Sequence, residues 1–528
     1  MKYPFKQRVS QSTSVPAPIG GINAVDPLSA MEPTDAVDML NFIPGTNSLV
    51  SREGYSRWVT GLPGPVKTLS SYISSAGEFR LFGATDDGLY DVSTKASSPA
   101  ISSPLTVGRC STMMFSTVGA QALVVCNGVD ATRHYDGTSW VLWSQVASPV
   151  SPGEVKGVDP AKFVQVHSHK RRLWFVEKDS MTAWYLPVDS LGGEAKPLYL
   201  GSVFRRGGRL QNIMTWSLDS GSGLDDIIIF QSSEGELAGY EGSNPDDTAD
   251  WALSAVHYVS PPFSDRASAD VGGELVILTA AGVYQTSRIV SGIGAVNLSS
   301  RDTLSYKIGP LLMDAVRRRG SSIGWEIFTY SARSYLILVL PKTSQNPAEQ
   351  YVMNLQTGMW GRTDLPMLTA CEVGGRMFFS DFSGNVYEYG GVYADNVSFD
   401  AVDYDPIYAS FQTAYNYFET RGQNKHYKMI RPTWLAQYPP AYYLTLSLDF
   451  YPVNINQMPA PPTENILLPY WNKAIWNQSK WSPRFSTQFK WDGLGGLGYC
   501  ASLVVVTRIN KSTEFVGSDW AYEAGTSL

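Results

Sequence analysis

The stretch Phe79-Arg-Leu-Phe-Gly-Ala-Thr-Asp-Asp-Gly-Leu-Tyr-Asp-Val92 joins a run of β-forming residues to a second such run through Thr-Asp-Asp-Gly. Alternating apolar residues on either side of a turn of this kind read as a β-hairpin. The theme returns at 122–136, from 172–176 to 183–186, from 226–230 to 237–240, from 274–278 to 282–285, from 335–340 to 350–353, and from 377–380 to 385–388. Each hairpin carries an aromatic landmark, in order Tyr90, Tyr135, Trp184, Tyr240, Tyr284, Tyr351 and Tyr387. The gaps are 45, 49, 56, 44, 67 and 36 residues, about 50 on average, close to the roughly 40–50 residues of a propeller blade. One four-stranded blade cannot cover its own faces, whereas blades packed about an axis cover one another. Residues 61–404 therefore read as an all-β propeller of six or seven divergent blades.

Two stretches break the rhythm. The longest gap contains Gly309-Pro-Leu-Leu-Met-Asp-Ala-Val-Arg-Arg-Arg-Gly320, with Pro in the first turn, apolar Leu311, Leu312, Ala315 and Val316, and a basic last turn. It reads as a helix inserted in a loop spanning 301–320. Residues 192–223 read as a second, loop-rich insertion. Before the propeller, 1–60 read as an arm with one docking helix, because Thr34 and Asp35 offer N-terminal signals for a helix over 35–42 that Pro44-Gly45 would stop. After it, 405–528 carry longer strands at 407–419, 442–450 and 501–507, read as a β-sandwich-like domain with one Pro- and Trp-rich excursion.

The 528 residues hold 41 Lys and Arg against 48 Asp and Glu, a net charge of −7, so bulk attraction for nucleic acid is excluded. Charged residues make up only 17% while 47 Gly and 32 Pro accompany 12% aromatics, which suits short strands and turns. Cys110, Cys126, Cys371 and Cys500 are too scattered for a disulfide framework or a metal-ligand pair. Apolar runs such as 335–340 are far too short to span a bilayer, and 1–18 lack the apolar core of an export signal. Synthesis in a reducing cytoplasm is the expectation.

The chemical motifs are weak. Gly493-Leu-Gly-Gly-Leu-Gly498 matches a dinucleotide fingerprint, but a strand rather than a helix follows, so a Gly-rich turn accounts for it. Gly320-Ser-Ser-Ile-Gly324 runs from a helix into a strand, the reverse of a nucleophile elbow. His167 and His169 share one face of a strand but lack a third ligand. Tyr135-Asp-Gly-Thr-Ser-Trp140 is half of an Asp-box turn in one copy, a blade turn rather than a glycosidase signature. No catalytic, cofactor or metal residue is assigned.

Charge and aromaticity leave better candidates. The basic clusters are Lys170-Arg-Arg172, Arg205 with Arg206 and Arg209, and Arg317, Arg318 and Arg319; the acidic loops hold Asp219, Asp225, Asp226, Asp246, Asp247 and Asp250. Complementary clusters suit subunit contacts, and both insertions suit channel or gate loops. Trp471, Trp476, Trp481 and Trp491 recur at gaps of 5, 5 and 10 and read either as loop anchors or as an interface.

The segment 20–45, opening Gly20-Gly-Ile-Asn-Ala-Val-Asp, followed by Ser51-Arg-Glu-Gly-Tyr-Ser-Arg-Trp58, resembles the start of the tail nozzle or packaged-DNA stabilisation proteins of short-tailed bacteriophages. Val125-Cys-Asn-Gly-Val-Asp through Trp140, the Trp-spaced C-terminal stretch and Trp520-Ala-Tyr-Glu-Ala-Gly525 are similar too. The resemblance implies a virion protein with a propeller in each subunit. It also implies a hexameric ring below the portal and adaptor, around a conduit that retains and then passes double-stranded DNA. Tail fibres or spikes, and the host envelope, are further implied partners. The expected function is thus a non-enzymatic nozzle subunit without cofactor. Alternatives are a glycan- or receptor-binding propeller using 471–491, and a propeller glycoside hydrolase with paired central carboxylates.

Overall fold

Period-2 apolar alternation interrupted by Asp, Gly and Ser turns drives this chain into short antiparallel strands, because successive side chains then face opposite blade surfaces and both are covered. The computed structural model describes residues 10–217, 226–290, 300–320, 322, 324–400, 403–455, 458, 459, 461 and 485–527. The chain divides into one unit of Arg57–Gln350 with Leu365–Glu388, and another of Met1–Ser56, Tyr351–Asp364 and Tyr389–Leu528.

The first unit is a β-propeller, its blades numbered here along the chain and each described from the innermost strand outward. Blade 1 is Thr68–Ile73, Phe79–Ala84, Gly88–Asp91 and Ile101–Pro104, and blade 2 is Ser111–Ser116, Gln121–Cys126, Arg133–Tyr135 and Trp140–Leu142. Blade 3 is Phe163–His169, Arg172–Glu177, Thr182–Tyr185 and Lys196–Tyr199, and blade 4 is Leu210–Ser217, Asp226–Ser232, Glu236–Glu241 and Ala252–Tyr258. Among the described residues blade 5 has Ser268–Val271, Glu274–Thr279 and Gly282–Gln285, blade 6 begins with Glu326–Tyr330 and Tyr335–Leu340, and blade 7 with Thr369–Val373 and Arg376–Ser380. Tyr90, Tyr135, Trp184, Tyr240 and Tyr284 all fall in the third strand of their blade. Gly88, which opens that strand in blade 1, runs close to the outer strand: a Cβ there would lie 2.9 Å from the Ser103 carbonyl oxygen.

Innermost strands are tied in sequence around the ring. Thr68 Oγ1 donates to Gly108 O (2.8 Å), Val166 N to Ser111 Oγ (3.1 Å), and Ile213 N to Gln165 Oε1 (2.7 Å). The Asn212 amide lies against the main chain of 264–265. Ile327 N then donates to Arg266 O (3.1 Å), and Thr369 Oγ1 to Glu326 Oε1 (3.2 Å). Ser380 Oγ donating to Val66 O (2.7 Å) closes blade 7 onto blade 1. Aromatic residues fill the wedges, as where Trp174 stacks on Trp251 at 5.5 Å and meets Phe230 edge-on at 5.6 Å. Each such fully buried ring stabilises by roughly 1.5–3 kcal/mol.

Two readings of the propeller region change. The described part of 192–223 is not a loop insertion: residues 192–217 contain the outer strand of blade 3, Lys196–Tyr199, and the inner strand of blade 4, Leu210–Ser217, and 218–223 lie outside the described residues. Leu210, Asn212, Ile213, Met214 and Trp216 are all buried there, a pattern too irregular to show clean alternation. The helix Gly309–Arg319 does form, burying Leu312, Ala315 and Arg319. It follows residues that lie against the third strand of blade 5, with Leu304 N donating to Val283 O (2.9 Å).

The second unit is a β-sandwich. One sheet runs Phe42–Pro44, Leu49–Ser51, Thr513–Ser527, Gln423–Ala436 and Ser486–Phe489, with Gln11–Pro16 and Asp492–Gly498 also paired to its long strands. The other includes Met359–Thr363, Ala36–Leu40, Asp405–Thr413, Ala501–Ile509 and Tyr442–Leu448. Phe411 of the second sheet bridges Phe42 (5.4 Å) and Phe515 (4.7 Å) of the first. The expected helix at 35–42 is instead strands Ala36–Leu40 and Phe42–Pro44. Asp35 accepts from Asn23 Nδ2 (2.7 Å) rather than capping a helix, and Met39, fully buried, faces Phe411. A helix of eight residues cannot outweigh that ladder. Gly493–Gly498 likewise belongs to a strand, not a turn between strands.

Arg52, 2% exposed, joins all three chain segments of this unit. Its guanidinium donates to Asn41 Oδ1 (2.8 Å), to both Asp395 oxygens (2.7 and 2.6 Å) and to Asp364 (3.3 Å). Removing one partner of a buried pair strands the other charge at a cost of about 3–5 kcal/mol. Arg52→Ala is expected to lower unfolding stability by about that amount in urea titration. Arg80→Ala, which breaks an exposed pair with Asp91, should cost no more than about 1 kcal/mol; equal losses would contradict the assignment.

Candidate functional site at the propeller axis and charged loops

The axial end where the innermost strands begin is occupied by Arg266, which precedes Ser268–Val271. Its Nη1 donates to Lys67 O (3.1 Å), Glu326 Oε2 (3.2 Å) and Thr369 Oγ1 (3.0 Å), and its Nη2 to Thr68 Oγ1 (2.6 Å) and Cys110 O (2.9 Å). One side chain thereby bonds to blades 1, 6 and 7 and to the residue that opens blade 2. Beside it Arg109 holds Asp265 (2.6 Å). Although burial acts the other way, Arg109 and Arg266 keep the Asp265 carboxyl below its usual range. Asp265 and Glu326, at this end, are each paired with a guanidinium.

His167 Nε2 and His169 Nδ1 both reach Thr215 Oγ1, at 2.8 and 2.9 Å, where blades 3 and 4 meet. The two rings share that hydroxyl, and among the described residues His169 Nε2 is buried without a hydrogen-bond partner. Among the described residues no group of three or more His, Cys, Asp and Glu is placed to hold one. Asp136 is also spent locally. Despite some burial, the Ser139 and Thr138 main-chain and hydroxyl groups bond its carboxylate and bring it down to about 2.

The basic clusters separate into distinct roles. Lys170 and Arg171 occupy a hairpin turn with φ of 43° and 61°, and Arg171 pairs with Asp189. Arg172 reaches Asn244 (3.3 Å), while Tyr185 (2.9 Å) and Lys196 (2.8 Å) both bond Asp246. Part of the acidic loop set thus meets blade 3 within one chain. Asp247 and Asp250 cap turns through Ala249 N (2.9 Å) and Ser243 N (2.7 Å). The main-chain N–H groups of Arg205 and Arg206 donate to the fully buried Glu236, the Arg206 guanidinium lies 4.6 Å over the Tyr258 ring, and Arg209 N bonds Ser233 Oγ (3.2 Å). Arg317 is exposed, Arg318 pairs with Asp314 (2.6 Å), and Arg319 is buried on Glu349 (2.7 Å).

Asp226 accepts from Ser217 Oγ (2.6 Å), whereas Asp219 and Asp225 lie outside the described residues. Trp471, Trp476 and Trp481 lie outside them too, and Trp491 is exposed beside the Arg431 guanidinium at 5.2 Å. Among the described residues, the expected gate residues take up separate local partners. The residues that do converge, Arg109, Asp265, Arg266 and Glu326, carried no sequence signal, since their partners are scattered from 67 to 369.

No protein-family model matches the sequence, and no curated protein is similar to it in sequence. Solved structures similar in fold include BBS1N in complex with ARL6DN, with TM-score 0.39 and 13% identity over 64% of this chain and 96% of that one. YCF48 from Cyanidioschyzon merolae gives TM-score 0.35 and 12% identity over 64% and 98%. The Cps50 (Swd1) β-propeller domain of Myceliophteria thermophila gives 0.35 and 11% over 62% and 99%. The chain is a β-propeller protein with a companion β-sandwich.

Burial lowers His167 to about 4, and burial together with the His167 and Lys170 charges lowers His169 to about 3. Both are neutral in the fold while the unfolded chain protonates near its ordinary value of about 6.5. Their contribution to stability is complete above about pH 6.5 and falls as the pH drops toward 4. Combining His167→Gln with His169→Asn, which keep one polar nitrogen at each position, is expected to flatten stability against pH in that window. An unchanged slope in denaturant titrations would assign the acid sensitivity elsewhere.

Proposed function

We propose that the chain is a non-enzymatic structural protein of a short-tailed phage virion. In this reading it is a nozzle subunit whose copies form a ring, expected to be hexameric, that retains and then conducts double-stranded DNA. What carries the reading is the resemblance of the segments 20–45 and 51–58 to nozzle proteins, together with the work those residues do in the fold. Arg52 and Asn41 form the buried staple of the sandwich, Gly54 passes so close to Ala394 that a Cβ would lie 1.9 Å from its carbonyl oxygen, and Trp58 packs on Phe378 at 5.0 Å. Residues 125–140, also similar, hold blade 2 in place: Thr132 Oγ1 donates to Pro160 O (2.7 Å) and Arg133 to Ser103 Oγ (2.8 Å). The similarity lies in joints rather than in reactive groups, as a structural role requires.

The axial plug at Arg266 supports a conduit formed between copies rather than through one propeller. A net charge of −7 suits passage, since few phosphates would be held and the duplex can slide. Adaptor, fibres or spikes, and host envelope are the partners this role implies, in a virion assembled from protein made in the host cytoplasm.

Electron-microscopic imaging of the purified protein or its particle is expected to show rings with a central hole wide enough for duplex DNA. The same protein should not retard a linear duplex in a gel-shift assay at physiological salt. Isolated peripheral monomers in the particle, or tight duplex binding, would overturn the reading.

A further inference from the structure

In the sandwich unit, Gln11–Pro16, Thr513–Ser527, Gln423–Ala436 and the run of Ser486–Phe489 with Asp492–Gly498 lie side by side. Residues 430, 432, 434 and 436 are buried on one face, and the alternate set points outward. That outer face exposes Met429 (41%), Phe489 (61%), Trp491 (38%) and Leu497 (64%). Its charges stand in two adjacent rows. Lys428 and Arg431 on one strand pair with Glu523 and Asp519 on the next, Arg431 reaching Asp519 at 2.9 and 2.6 Å. The Arg431 guanidinium also lies 5.2 Å from both the Phe489 and Trp491 rings, which holds these large side chains in place. Aromatic, Met and Arg side chains with internally balanced charge are the composition of an interface centre.

We propose that this face pairs with the same face of a second copy, about a two-fold axis parallel to the strands. That axis exchanges left and right, so it sets the cation row of one copy over the anion row of the other. Because Arg431 and Asp519 are register partners, that pair meets at a matching height, and Lys428 reaches Glu523, the register partner of His426, from the bulge between Tyr427 and Met429. Four strands about 4.8 Å apart and roughly ten residues long at about 3.4 Å each present on the order of 650 Å². Two faces therefore bury about 1,300 Å², above the roughly 1,000 Å² that a specific interface needs. Face-to-face sheets pack with strands within about 30° of one another, as this axis requires.

The contact is separate from the ring proposed above, and ring formation by imaging reports on that reading alone. Sedimentation of the full chain is expected to show a reversible dimer step. Reversing the cation row (Lys428→Glu with Arg431→Glu) or the anion row (Glu523→Lys with Asp519→Lys) should each weaken it by more than about tenfold. An equimolar mixture of the two should recover the pair, which a misfolded chain could not do, and all four substitutions in one chain should restore self-association. A wild type that shows no dimer step, row variants that associate like wild type, or a monomer whose Phe489 and Trp491 instead bind a glycan probe would each overturn the proposal.

Discussion

A buried guanidinium needs several acceptors at once, and this constraint organises both units. Arg266 finds its acceptors on strands that open different blades, so its bonds are complete only when the propeller ring is closed. Arg52 does the same for three chain segments separated by the propeller sequence. A planar donor with five N–H groups suits this role in a way a lysine would not. Hydrophobic wedges supply most of the favourable free energy, but they are non-directional. The guanidinium contacts add directional closure.

The placement of polar groups bears on function. At the axis Asp265 and Glu326 are each paired with a guanidinium. The acidic and basic loops of blades 3 and 4 answer one another within the chain. Activity of the proposed kind would come from surfaces shared between copies, and both the ring and the face-to-face contact are of that type.

The hairpins were legible because a strand writes a period of two into its sequence and a tight turn restricts residue type. The spacing of aromatic landmarks worked for a related reason: five of them occupy the same strand of successive blades. The failures have equally local causes. Thr34-Asp35 looks like a helix start, yet Asp35 serves Asn23 and the strand it precedes pairs with residues near 411. The run 192–223 looks loop-like because it holds Pro197 and seven glycines, Pro197 sitting in an outer strand where proline is tolerated. Of the candidate charged site, the basic clusters were visible as clusters, but not their division into a buried brace, a cap and an exposed end, since that depends on distant partners such as Glu236 and Glu349.

The sequence by itself determined an all-β chain of repeated hairpins with an inserted helix and a further β-unit, weakly charged and without a reactive motif. Those properties are written in neighbouring residues, whose period and turn chemistry act over a few positions. Only the tertiary structure decided that the N-terminal segment completes the C-terminal sandwich, that Arg266 closes the propeller axis, and that cation and anion rows stand side by side on an exposed sheet. Each of these joins residues far apart in the chain, and a single sequence does not record which distant groups meet.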